Sequence, residues 1–528
     1  MRRGARPISR TFALTYSGAP IRLERAMPPS SAASPAFPLR HHPHLYEINT
    51  WAWLEQLSDR LCRRIALADV PDGEWAAIAR LGFDAVWLMG IWQRSPQSRR
   101  IALEDPANFA AYDAALPGWK PGDIIGSPYA IAQYVPDQRI GTWGSLDRVR
   151  EKLRGLGMAL FLDFVGNHTA LDHPWTREHP EFYVRGTQQD FENNPSSFFP
   201  IDTPKGRYYV ALARDPYFPP WKDVAQLNHF EPAMRAAQLS DLRTIASHCD
   251  GVRCDMAMLH LSDIFANIWG PLLRGAIAPE KEFWSAARET VPGLILLAEA
   301  YWNTEPRLLD LGFSFAYDKE LYDAVRDGKI GEVRARISAN EDSQSRLVRF
   351  LENHDEPRRP TVFGNERLPA VGTLMATLPG MRFYHQGELD GLKVRLPITL
   401  RIAAAELPDP VSAFCFRKLL EIANEEIFHA GRWNLLEVAP DSDDTSVNLI
   451  VYEWRLEKTW KVMVVNLAGS ASQGRVKLGD RVSPAQQYVF HDQLDEERYL
   501  RNGDELRGMG LFVRREAGRA HLFDVTPA

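Results

Sequence analysis

From residue 45 onward, short and almost wholly apolar runs alternate with segments whose apolar residues return every three or four positions. The runs predict strands at 45–48, 85–89, 159–165, 251–255, 294–299, 313–317, 347–352 and 382–385. The segments between them predict helices at 74–81, 145–156, 235–246, 283–289, 319–325, 331–339 and 370–378. In the second of these Leu146, Val149 and Leu153 fall on one face, and Gly157 ends it. Strands that are apolar on both faces are covered on both sides. Eight of them alternating with helices predict a closed parallel (β/α)8 barrel rather than an open sheet.

Two connections are too long to be simple turns. Residues 96–128 are rich in Pro, Gly and Asp and read as loop. Residues 169–228 carry several Pro and aromatics, with a strand expected at 208–211, and read as an excursion over the barrel rim. Beyond residue 431 the pattern changes to short strands set off by turn residues, at 447–454, 461–467, 475–478, 511–514 and 521–525. That is the signature of a separate all-β sandwich. The charged run 498–507 reads as a solvated face. The expected division is a leader at 1–40, a barrel at 41–430 with a rim subdomain at 169–230 after the third strand, and a C-terminal sandwich at 431–528. The leader holds seven Arg against one acid, Glu24, and its apolar piece at 11–14 is too short for a signal-peptide core. It reads as a disordered tail, or as sequence ahead of a start at Met27.

Composition narrows the class. Of 528 residues 45% are hydrophobic and 25% charged, and the formal net charge is -6. That balance argues against a nucleic-acid partner, and no apolar run is long enough to span a bilayer, so no membrane partner is expected. Cys62, Cys249, Cys254 and Cys415 have no zinc-like spacing and read as reduced thiols in a cytoplasmic protein.

The candidate chemistry lies where the strands finish. Asp163, Asn167, His168, Asp255, Glu299, Asp318, His354, Asp355 and Glu388 collect where predicted strands finish, and a parallel barrel puts those ends on one rim. In 251–257 Val252, Cys254 and Met256 share one face of the strand, while Arg253 and Asp255 share the other. Arg253 is placed to orient Asp255 and keep it ionised. Glu299 follows an apolar run and precedes Tyr301-Trp302, a setting that favours its protonated form. One ionised and one protonated carboxyl are what cleavage of a glycosidic bond requires.

Four blocks carry a resemblance to the alpha-amylase family, glycoside hydrolase family 13: Asp163-Phe164-Val165-Gly166-Asn167-His168, Gly251-Val252-Arg253-Cys254-Asp255, Ala298-Glu299-Ala300 and Glu352-Asn353-His354-Asp355. They stand in the family's order, and Phe383-Tyr384-His385-Gln386-Gly387-Glu388 is also similar. The resemblance implies a retaining hydrolase of α-glucans or α-glucosides. Asp255 would be the nucleophile, Glu299 the general acid/base, and Asp355 a partner of the sugar hydroxyls. Tyr129, His168, Arg253 and His354 would contact or orient the sugar and the nucleophile, with Asp163 in support. Two alternatives stay open: a transglycosylase (glucosyl- or maltosyltransferase, or trehalose-synthase-like) and a non-catalytic carbohydrate-binding subunit. Met258 and Leu259 stand where amylases carry Lys-His, and Gln226 where many have a calcium-ligand Asp, so no metal and no cofactor are expected. Ala130 replaces an Asp found in the family's α-glucosidases. Residues 126–131 and 172–175 resemble instead the maltosyltransferases that use maltose 1-phosphate.

Overall fold

The computed structural model describes residues 37–528. The expected leader therefore lies largely outside the described residues. Its last part does not: Arg40 holds Asp84 at 2.5 Å and Asn424 at 2.9 Å, so the chain is seated on the barrel from there on.

Eight parallel strands close the barrel in sequence order: β1 (His44–Asn49), β2 (Ala85–Met89), β3 (Ala159–Phe164), β4 (Gly251–Cys254), β5 (Ile295–Ala298), β6 (Phe315–Tyr317), β7 (Leu347–Arg349) and β8 (Met381–His385), which pairs back with β1. Their side chains are buried nearly throughout, as their two-sided apolar pattern requires. Register sets the chemistry. Arg253 lies beside Asp163 on β3, and Cys254 beside Ala298 on β5, so Asp255 and Glu299 emerge as neighbours one residue past the sheet. β4 stops at Cys254, one residue short of the expected end. Met256 then takes a left-handed conformation (φ 45°), so it leaves the apolar face shared by Val252 and Cys254 and turns toward the rim.

Helices that the periodicity did not predict stand at Thr50–Leu61, capped by Asn49, and at Ser262–Leu273 and Pro410–Ala423. The stretch expected to be loop at 96–128 holds two more, Pro96–Glu104 and Phe109–Ala115. Ser95 caps the first of these through a hydrogen bond from Ser98 N at 2.9 Å. The excursion after β3 is pinned at its base by antiparallel pairing of His168–Ala170 with Val224–Gln226. Beyond that base lies a three-stranded sheet of Arg185–Gly186, Phe198–Thr203 and Gly206–Ala211.

The C-terminal region is two antiparallel sheets, of six and three strands. Val451, Val462, Val476, Phe490, Val513 and Phe523 belong to the apolar core between them. The other face of the larger sheet packs on the barrel, where Trp454 Nε1 donates to Thr377 O at 2.7 Å. Among the described residues no helix is long and apolar enough to cross a membrane.

Candidate active site

Arg253 organises the site. It is 1% exposed, so its charge is removed from water and must be met by protein carboxylates. Nη1 donates to Asp255 Oδ1 at 2.6 Å, Nη2 pairs with Glu299 Oε2 at 2.8 Å, and Asp355 Oδ2 lies 3.9 Å from Nη2. Three acids from the ends of β4, β5 and β7 thus converge on one guanidinium. The rings of Tyr129, Trp87 and Tyr317 surround it at 5.2, 5.4 and 5.9 Å.

The acids open into a cavity of about 630 Å³, lined also by Tyr129, His168, Trp221, Met256 and Trp302. Glu299 is fixed at both oxygens: Tyr301 Oη donates to Oε1 at 2.7 Å, and Met256 N donates to Oε2 at 2.6 Å. The left-handed turn at Met256 is what aims that N–H. Asp255 Oδ2 has no hydrogen-bond partner among the described residues. Asp355 is held by His354, whose Nε2 lies 3.0 Å from Oδ2.

Burial pushes the Glu299 carboxyl up to about 7; Arg253 opposes this, and the neighbouring Asp255 and Asp355 add to it. Burial also raises Asp255. The expectation that Arg253 would hold Asp255 ionised meets a stronger opposing effect: the guanidinium lowers this carboxyl, but burial outweighs it. Burial acts on Asp355 in the same direction, but the charge and hydrogen bond of His354 outweigh it and hold this carboxyl well below the usual range. Burial lowers His168 to about 4, so its ring is neutral at pH 7.

Asp255, Glu299, Asp355, Tyr129 and His168 reach the cavity wall; Arg253 lies beneath it, and His354 stands behind Tyr129 and Asp355. Asp163 does not line the cavity. Trp87 Nε1 and Gly90 N occupy its two oxygens at 3.2 and 2.8 Å, which leaves it behind the site and out of reach of a sugar in the cavity. Asp318 and Glu388, also at strand ends, are likewise occupied elsewhere. Glu47, which holds His354, escaped the sequence reading, and Tyr301, which reads there as part of an apolar setting for Glu299, is instead its hydrogen-bond donor.

The oxygens around Asn167 face an amide donor rather than an open cation site. Gln226 Nε2 donates to Asn167 O at 3.0 Å and to Asn167 Oδ1 and Leu227 O at 3.1 Å. An amide donor sits where a hard cation would need oxygen ligands, so these residues do not fit calcium.

Comparison with known proteins agrees with this geometry. Residues 76–244 match the family model described as the alpha amylase catalytic domain. Alpha-amylase 3 of Dictyoglomus thermophilum is 25% identical over 285 residues, which are 49% of this chain and 52% of that protein. Alpha-amylase MalA of Haloarcula japonica is 24% identical over 326 residues, 60% of this chain and 40% of that protein. The chain thus spans about half the length of the curated relatives it matches. Among solved structures, the maltogenic alpha-amylase AmyB of Thermotoga neapolitana superposes with a TM-score of 0.65 at 19% identity, covering 92% of this chain and 99% of that one. An alpha-amylase from Lactobacillus plantarum gives 0.64 at 18% identity with the same coverage. The fold is a (β/α)8 barrel with an all-β C-terminal region, and residues 76–244 are similar to the alpha-amylase catalytic domain.

Proposed function

We propose that the chain is a retaining glycosidase acting on α-glucans or α-glucosides. The observation that carries this reading is the convergence of Asp255, Glu299 and Asp355 on Arg253 at the wall of a sugar-sized cavity. Two carboxyls that share one guanidinium lie close together, as a retaining pair about 5–5.5 Å apart must.

In the first step Asp255 Oδ2 attacks the anomeric carbon and the bond to the leaving oxygen breaks. The proton of Glu299 passes to that oxygen. A Glu299 carboxyl near 7 is still half-protonated at neutral pH and can supply it. In the second step water attacks the glycosyl-enzyme and returns a proton to Glu299, and Asp255 leaves as carboxylate. Asp355, kept ionised by His354, binds sugar hydroxyls while positive charge develops at the ring.

The lining favours a neutral leaving group. Its lysine, Lys319, is already paired with Asp323 at 2.6 Å and Glu356 at 3.2 Å, and Asp215, Asp223 and Glu320 add negative charge. That setting counts against a phosphate substrate.

Trp302 and Phe218 continue from this cavity into an adjoining one of about 540 Å³, where Tyr217 stacks edge-on to Trp302 at 5.3 Å. Aromatic faces beyond the acids suit an oligosaccharide, and they also give a second sugar a place to stack. Transglycosylation is the second reading supported by this feature.

Both readings are tested by incubation with maltooligosaccharides, isomaltose, trehalose, sucrose and maltose 1-phosphate, with and without acceptor sugars, followed by product chromatography. Reducing sugar from neutral α-glucosides is expected. Turnover confined to maltose 1-phosphate would refute the assignment.

A further inference from the structure

Glu47, on β1, is fully buried and lies 307 residues from the histidine it touches. Its Oε1 is 2.5 Å from His354 Nδ1, and its Oε2 has no partner among the described residues. On the other side of the ring, His354 Nε2 faces Asp355 Oδ2 at 3.0 Å and the Tyr129 hydroxyl at 2.7 Å. The ring is clamped between Tyr129, stacked at 5.4 Å, and the edge of Trp87 at 5.5 Å.

A neutral imidazole carries one N–H. With Glu47 beside it, that proton belongs on Nδ1. Nε2 would then present a lone pair to a carboxylate 3.0 Å away. A second proton removes the clash and turns Nε2 into a donor, with the Tyr129 oxygen free to accept.

We propose that Glu47 is a positioning residue: it holds the His354 ring so that Nε2 donates toward Asp355 and, with substrate bound, toward a sugar hydroxyl. The inference rests on the reading of Asp355 as a sugar-binding carboxylate given above. Burial alone would lower His354, but Asp355 and Glu47 together drive it well above the ordinary imidazole range. The other charged or titratable groups around it are Asp163 on β3, Arg253 and Asp255 at β4, and Arg395, whose Nε lies 3.5 Å from the His354 carbonyl; Tyr317 on β6 faces Glu47. Arg253 and Arg395 oppose a charged ring. The two carboxylates in direct contact with it outweigh them.

The test begins with substrate-free enzyme labelled with [15N]histidine, the His354 signals being assigned by their loss in His354→Gln. Both ring nitrogens are expected to be protonated at neutral pH. In Glu47→Gln the ring should lose its second proton at a pH lower by about one to two units. The fall of kcat/KM that Glu299 sets near 7 should become steeper where the variant ring loses that proton, and Glu47→Asp should restore part of the shift. A neutral His354 ring in the native enzyme would overturn the proposal even if the Gln variant fails to fold. So would a Gln variant whose kcat/KM falls equally at every pH, which is the mark of a structural role only. The spectroscopic result needs no substrate, so it stands apart from any failure of the proposed activity.

Discussion

Two sets of acids stand at the ends of barrel strands, and they differ in what surrounds them. Asp255, Glu299 and Asp355 share a single buried cation and face a cavity. Asp318, at the end of β6, is 2% exposed and faces protein on every side: it caps the following helix through Leu321 N, pairs with Arg336 at 2.7 Å, and contacts Arg349. Glu352, after β7, is likewise enclosed by Arg358 and His385. Where each acid has its own cations it is structural. Where Asp255 and Glu299 share one guanidinium and Asp355 is matched by His354, the proton affinities are pushed apart and chemistry becomes possible.

Substitutions at the two kinds of site should separate this contrast. Asp255→Asn removes the attacking oxygen while leaving the fold intact. Turnover should fall about a thousandfold or more, with an unchanged melting temperature. Asp318→Asn should do the reverse. It leaves Arg349 buried with less compensation, costing about 3–5 kcal/mol in denaturant unfolding, while kcat stays within a few-fold. Comparable activity in the two variants would erase the distinction.

Glu299→Gln should lose most activity on ordinary glucosides and recover much of it on aryl glucosides with good leaving groups, which need little protonation. Uniform loss across leaving groups would remove Glu299 from the acid role.

The pH profile should show the same asymmetry. Glu299 must be protonated to act, and its carboxyl is pushed up to about 7, so activity should be retained below that pH and decline as pH rises through it. A limb in the range of an ordinary glutamate, near 4.3, would mean that burial does not govern this group.

The smallest effect should come from chelation. With Gln226 Nε2 bonded to the oxygens around Asn167, EDTA should leave activity and melting temperature unchanged. Loss of activity restored only by calcium would mean that the oxygens around Asn167 hold a cation after all.

Much of this was legible along the chain for a physical reason. Parallel strands covered on both faces must be nearly all apolar, so β2 and β5 stand out wherever they are read, and Glu299, which follows β5, is easy to see. The helices that were missed show where the signal fails. Thr50–Leu61 begins with Trp51, Ala52, Trp53 and Leu54 buried in succession, which blurs the period. Ser262–Leu273 contains Pro271, and Pro410–Ala423 exposes Val411 and Phe414. Met256 read as a strand residue because alternation cannot announce a left-handed turn. Glu47 could not be seen as part of the site, since its meaning comes from a partner at the far end of the barrel sequence.

The central claim is a covalent bond to Asp255. Reaction of Glu299→Gln enzyme with α-glucosyl fluoride, which needs no acid to leave, followed by proteolysis and mass spectrometry, should find one hexosyl adduct on the peptide that contains Asp255. An adduct on another carboxylate, or steady release of glucose with inverted configuration and no adduct, would contradict it.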